Sequence, residues 1–162
     1  MEASNSICAE VIKIFVQVVS IALGWFVVHK LSIERDRDKA RRELLVKAAD
    51  GLSDDVTKLL AVANGYHTKT RDISVEDNIK MTLQDISTRT NLLSEISPNH
   101  DELASCRSAI LAFKQSITAT HFEDEHDVAL EHGSVQMQSI ARDCLAVRQC
   151  FLKLKHKQFP VA

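Results

Sequence analysis

Between residues 14 and 28 the chain has no charged side chain, and Gln17 and Ser20 are the only strongly polar residues in the run. With Val11 and Ile12 ahead of it and Leu31 behind, the apolar stretch is long enough to cross a bilayer. A helix rising about 1.5 Å per residue needs roughly 20 residues for a hydrocarbon layer about 30 Å thick. Two other identities for the segment fit less well. A buried helix of a soluble domain keeps a polar face, whereas residues 14–28 are apolar on nearly every side. A cleaved signal sequence has Lys or Arg before its core and a small-residue exit. Here MEASNSICAE has no Lys or Arg, and the core runs straight into Trp25, Phe26, Val27, Val28, His29 and Lys30. The sequence therefore predicts a single transmembrane helix within residues 1–31.

Charge sets the expected orientation. Lys30, Arg35, Arg37, Lys39, Arg41, Arg42 and Lys47 follow the span, and no basic residue precedes it before Lys13. Basic residues near a span stay on the cytoplasmic side. A plasma (inner) membrane protein is expected, N-terminus outside and C-terminal domain cytoplasmic. Trp25, Phe26 and Lys30 are the expected interface anchors. Lys13 can snorkel at the other end and pair with Glu10. Lys13, Gln17, Ser20 and Gly24 are spaced four, three and four apart and share one stripe. Ser20 and Gly24 form a small-x-x-x-small pair, which lets two backbones approach closely in lipid. That stripe is the candidate surface for transmembrane self-association, and hence for a homo-oligomer.

Residues 32–43, SIERDRDKARRE, alternate in charge at helical spacing, as in Glu34 with Arg37 and Asp36 with Lys39. Such pairs describe a solvated helix, here a stalk continuing the span. Residues 44–162 then form the expected cytoplasmic domain. Leu45, Ala49, Leu52, Val56, Leu59 and Ala63 step four, three, four, three, four, the period of packed helices. The ladder keeps its register through Gly51, which favours one helix ending near Asn64 and Gly65 over a break at Asp50. Ser74 with Asp77 resembles a capping box and opens a helix striped by Ile79, Leu83, Ile86, Thr90 and Leu93. Asn99 with Glu102 is the next expected cap, before Leu103, Cys106, Ile110, Phe113, Ile117 and Thr120. The last stripe is Met137, Ile140, Cys144, Val147, Phe151 and Leu154. Four such stripes with short connectors predict an all-α protein whose transmembrane helix continues into an antiparallel four-helix bundle.

Chemistry is sparse. Of the cysteines Cys8, Cys106, Cys144 and Cys150, none forms a C-x-x-C pair, and a cytoplasmic setting keeps them reduced. Cys8, at the membrane edge, could instead be lipidated or bridge two chains. His121, Glu123, Asp124, Glu125, His126, Asp127, Glu131 and His132 are the one concentration of possible metal ligands. Their five-residue steps (His121 to His126, Asp127 to His132) miss the helical ligand spacing, so His121, His126 and His132 are weak candidates in what reads as an acidic solvated loop. His67 and His100 are read as surface residues of connectors. No phosphate loop, dinucleotide fingerprint or nucleophile elbow occurs. A net charge of −2 gives no reason to expect nucleic acid. No cofactor and no enzyme activity are expected.

The segment GWFVVHKLSIERDRDKARRE, residues 24–43, resembles the membrane exit and stalk of short bacterial single-pass membrane proteins of unassigned function. An aromatic-apolar end, then His29-Lys30-Leu31-Ser32 and Glu34-Arg35-Asp36-Arg37, carry the resemblance. It covers about an eighth of the chain and implies a bacterial inner-membrane setting, with no catalytic residue to carry across. The expected partners are the lipid bilayer and an unidentified cytoplasmic protein or a second copy, which makes the chain a membrane-anchored interaction or adaptor module. The alternatives are a membrane-acting effector (a toxin or phage-defence component) assembled through its span, and a metal protein or enzyme using residues 121–132.

Overall fold

The computed structural model describes residues 2–69, 71–119, 122–123, 129–131 and 133–157, with side chains from Lys13 onward except Ile14. Among these residues every regular element is an α-helix: α1 Glu2–His67, α2 Ile73–Ile96, α3 His100–Ile117 and α4 Val135–His156. The chain divides into two compact units, Met1–Arg41 and Arg42–Ala162, and α1 contributes to both.

The first unit is helix alone. Every described side chain from Phe15 to Arg41 is exposed. A single helix satisfies its own backbone hydrogen bonds, and the Ser20 hydroxyl follows suit by donating to the Val16 carbonyl at 2.8 Å. The apolar part of this helix is long enough to cross a membrane.

The second unit is built on the apolar ladders. Leu45, Ala49, Leu52, Val56, Leu59 and Ala63 of α1 are all buried in one core with the α2, α3 and α4 stripes. The core includes Thr90, whose hydroxyl donates to the Ile86 carbonyl at 2.8 Å and so carries no unmet hydrogen bond into the apolar interior. Met137 is half-buried rather than a core residue, and Thr120 lies outside the described residues. The largest fully buried side chains are Phe113 of α3 and Phe151 of α4.

Helix α1 passes through Gly51 without a break. A Cβ at this position would meet only the Arg89 guanidinium, at 3.4 Å. Gly51→Ala should therefore stabilise the unit by about 0.5–1 kcal/mol through reduced unfolded-chain entropy, read as a higher urea midpoint of the detergent-solubilised protein.

The helix ends differ from the sequence expectation where distant partners intervene. Helix α1 runs past Gly65 to His67, because Tyr66 and His67 are buried and held from outside the helix. Helix α2 starts at Ile73, capped by Asp72 rather than Ser74: the Asp72 carboxylate accepts from the Ser74 amide at 2.9 Å and the Ser74 hydroxyl at 2.6 Å. Asn99 does occupy the N-cap position of α3, yet its side chain makes no capping bond. Glu102, its expected reciprocal partner, pairs instead with Lys157 beyond α4. Ser134 caps α4 by accepting from the Met137 amide at 3.4 Å. Lys153, Lys155 and His156 in the last turn of α4 complement its dipole.

Ion pairs join neighbouring helices around the core. Arg89 of α2 reaches Asp55 of α1 at 2.7 Å and Asp85 of its own helix at 3.1 Å. Lys155 of α4 pairs with Asp50 of α1.

Candidate functional site

Two regions depart from what a plain helical core requires. The first is the apolar surface of α1. Ile21 is 73% exposed, Trp25 68% and Phe15 68%, and the remaining large apolar side chains between residues 15 and 33 are exposed as well. The residues are not gathered on one seam: Val18, Val19, Ile21, Leu23, Val27 and Val28 point around the helix, and each of them is exposed. Trp25 stacks on His29 with ring centroids 5.1 Å apart and planes 4° from parallel, giving the exit of the apolar run an aromatic–polar pair with Lys30 beside it. Phe26 and Lys30 are exposed too. The four residues of the candidate association stripe, Lys13, Gln17, Ser20 and Gly24, are all exposed. Nothing lies within 4 Å of where a Cβ on Gly24 would stand. Glu10 and Cys8 have side chains outside the described residues.

The second region is a polar corner where α1 ends and α2 begins, and composition alone did not reveal it. Glu76, in the first turn of α2, is only 2% exposed. Tyr66 Oη donates to its Oε1 at 2.6 Å, and Arg71 donates through Nε to Oε1 at 2.6 Å and through Nη2 to Oε2 at 3.3 Å. The Arg71 guanidinium and the Tyr66 hydroxyl hold the Glu76 carboxyl below its ordinary range, against the opposing effect of burial. The same burial, reinforced by Glu76, pushes the Tyr66 phenol up. The pair thus rests as a carboxylate and a protonated phenol and acts as a fastening, with three hydrogen bonds on the carboxylate.

Around this knot the chain gathers its loops. His67 is buried, contrary to the expected surface position: its Nε2 lies 3.1 Å from the Ile117 carbonyl at the end of α3. The His67 carbonyl accepts from the Leu130 amide at 2.8 Å. Phe122 packs against Tyr66 with centroids 5.4 Å apart. Glu123 adopts a left-handed backbone (φ 63°) and pairs with Lys80. Part of the supposed solvated loop is therefore tied to the α1–α2 corner. A groove of about 660 Å³ opens beside it, lined by Val62, Gly65, Tyr66, Arg71, Ile73 and Val75 among others.

A sequence signal for the corner did exist. Tyr66 lies three residues past Ala63 and Glu76 three before Ile79, so each extends an apolar stripe by one step. A carboxylate on such a stripe needs a partner, and Arg71 and Tyr66 supply it.

The Glu76 clamp gives stability a defined pH dependence. Its folded-state pKa is depressed, so the contribution is complete above the unfolded value and fades as pH falls through the folded one. Acidification below about pH 4, the ordinary glutamate range, should lower the urea midpoint. Glu76→Gln should cost about 1.5–3 kcal/mol at pH 7 and flatten that acid limb.

Among the described residues no group of three His, Cys, Asp or Glu side chains could hold a metal ion. His121, His126 and His132 lie outside the described residues. No family model, curated protein or solved structure matches this chain.

Proposed function

We propose that the chain is a non-enzymatic, membrane-anchored interaction module of the bacterial inner membrane. Residues 11–31 cross the bilayer once, residues 32–43 continue as a charged stalk, and residues 44–162 present a cytoplasmic antiparallel four-helix bundle to a protein partner or a second copy. The observation that carries this reading is the uncovered apolar surface on all sides of α1 between residues 15 and 33. Twelve large apolar side chains left in water forgo on the order of 15 kcal/mol of burial. A two-helix coiled coil would cover a single seam, whereas lipid covers every side. Cytoplasmic placement of the bundle is supported by the basic residues that follow the span.

The antiparallel order is supported by contacts that run in opposite directions along sequence. Asp55 meets Arg89 while Tyr66 meets Glu76, and Asp50 meets Lys155 while Val56 meets Cys144. The test is topology. Protease added to inverted membrane vesicles should digest residues 42–162, and protease added to intact spheroplasts should spare them. Digestion from the outer face would overturn the orientation, and recovery in a soluble fraction would overturn the anchor.

A second reading, a membrane-acting effector, is favoured by the open stripe at Ser20 and Gly24. Ser20→Leu with Gly24→Leu separates the two. Lost growth inhibition on overexpression supports the effector, and unchanged partner recovery by the full-length chain supports the module.

A further inference from the structure

We infer that the cleft between α2 and α3 is a docking site for an acidic amphipathic helix of a partner protein. The inference rests on the reading of residues 44–162 as a partner-binding bundle and names the chemistry of that partner. The cleft exists because the α2 flank facing α3 carries short side chains. Ser87 folds its hydroxyl back onto the Leu83 carbonyl and Thr90 onto the Ile86 carbonyl, both at 2.8 Å. A space of about 230 Å³ stays open beside them. From α3, Arg107, Leu111 and Lys114 line its other side, stepping four and three along one flank of the helix. Ile110 and Thr90 are buried and give the cleft an apolar floor, while Leu111 is 55% exposed at its rim.

The charge at this cleft is of one sign. Arg107 and Lys114 are exposed, and among the described residues their side chains make no ion pair. Between Leu103 and Ile117, α3 has no Asp or Glu, and between Ile86 and Ser94, α2 has none either. The α2 carboxylates on either side are Asp85, held by Arg89 at 3.1 Å, and Glu95, one turn beyond Asn91. The other helix pairs on the page answer their cations from within the chain, as Asp55 does Arg89, Asp50 does Lys155 and Glu102 does Lys157. Here the answering charge has to come from outside. Two cations seven residues apart on a helix stand about 10 Å apart along its axis, too far for one carboxylate to meet both. A second helix laid along the cleft offers carboxylates at the same seven-residue interval, with an apolar residue between them to meet Leu111 and the floor. Helices in grooves are read through such anchors, spaced i, i+3 or i+4, and i+7. Asn91, exposed on the α2 side, adds an amide that donates or accepts.

The experiment uses the full chain in an uncharged detergent. The probe is a fluorescent, alanine-rich peptide of about 18 residues, long enough to hold a helix, with two glutamates seven apart and a leucine midway. The chain should raise its anisotropy saturably, and added salt should weaken the binding. Arg107→Glu with Lys114→Glu should weaken it at least about tenfold. Both positions are exposed, so the thermal midpoint should move by less than about 4 °C. The same double variant should bind a peptide with lysine in place of both glutamates, which the unmodified chain should refuse. Leu111→Ala should weaken both pairings several-fold. No saturable binding of the glutamate peptide, or binding that the double substitution leaves unchanged, would overturn the site. If the double substitution instead breaks up an oligomer of the unmodified chain, the cleft belongs to a second copy and the acidic partner is ruled out. These readouts do not depend on crossing a bilayer, so failure here and failure of the protease test of topology are told apart.

Discussion

Arginine at both Val18 and Ile21 will release the protein from membranes. These positions lie near the middle of residues 11–31 and three apart, on one side of the helix, and both side chains are exposed. At mid-span an arginine costs about 2.5–3.5 kcal/mol on insertion scales, where valine and isoleucine are favourable by about 0.3–0.6 kcal/mol. Together the changes remove about 6–8 kcal/mol, four or more powers of ten in partitioning. Membrane fractions washed in alkaline carbonate should retain the unmodified chain and lose the double variant. Arginine at Ile33 is the matched control, because a side chain at the end of the span reaches the headgroups. If the double variant stays in the pellet with the unmodified chain, the apolar run is not what holds the protein there.

Phe151→Ala will unfold the second unit well before the unmodified protein, without releasing it from the membrane. Phe151 is fully buried in the core, on α4. Truncating such a ring leaves a cavity and costs about 3–5 kcal/mol, a third or more of the roughly 5–15 kcal/mol typical of a domain. The thermal midpoint by circular dichroism should fall by roughly 10–20 °C. Leu152 is next in sequence and largely exposed, and Leu152→Ala should change stability by less than about 0.5 kcal/mol. Equal losses from the two substitutions would mean that α4 does not face the core as described. Because Phe151 lies outside the apolar run, carbonate-resistant membrane association should persist in both variants.

The apolar ladders made the helical unit readable from sequence. Six positions from Leu45 to Ala63 recur at alternating steps of three and four, and all six are buried. Burial follows such a pattern because a helix presents one face, and the residues that recur on it have no other destination. Gly51 was readable for the same reason, since the register carries through it. The polar corner was harder. Tyr66 and Glu76 do extend the stripes, but their meaning depends on Arg71, on Phe122 and on a helix end fifty residues away at Ile117. Local rules failed in the same places. Ser74 reads as a cap, yet Asp72 two residues earlier supplies the stronger acceptor and starts the helix sooner. Glu102 reads as half of a capping box, but Lys157 competes for it and wins. His67 reads as a surface residue because its acceptor, the Ile117 carbonyl, is invisible to any window along the chain. Lys13, Gln17, Ser20, Gly24, Trp25, Phe26 and Lys30 are exposed on α1, and exposure alone assigns none of them a partner.

The rim charges have a consequence for how the helices recognise one another. The stripes of α2, α3 and α4 are nearly interchangeable, each offering leucine, isoleucine or phenylalanine at similar steps. Greasy surfaces of this kind cannot tell one neighbour from another. Asp50 with Lys155, Asp55 with Arg89 and Glu102 with Lys157 can. Exposed pairs add little to overall stability, but an order that put α1 beside α3, or α2 beside α4, would set acid against acid or base against base and be disfavoured. The sorting information therefore sits at the perimeter, in six side chains that contribute almost nothing to holding the assembly together once it is correctly made.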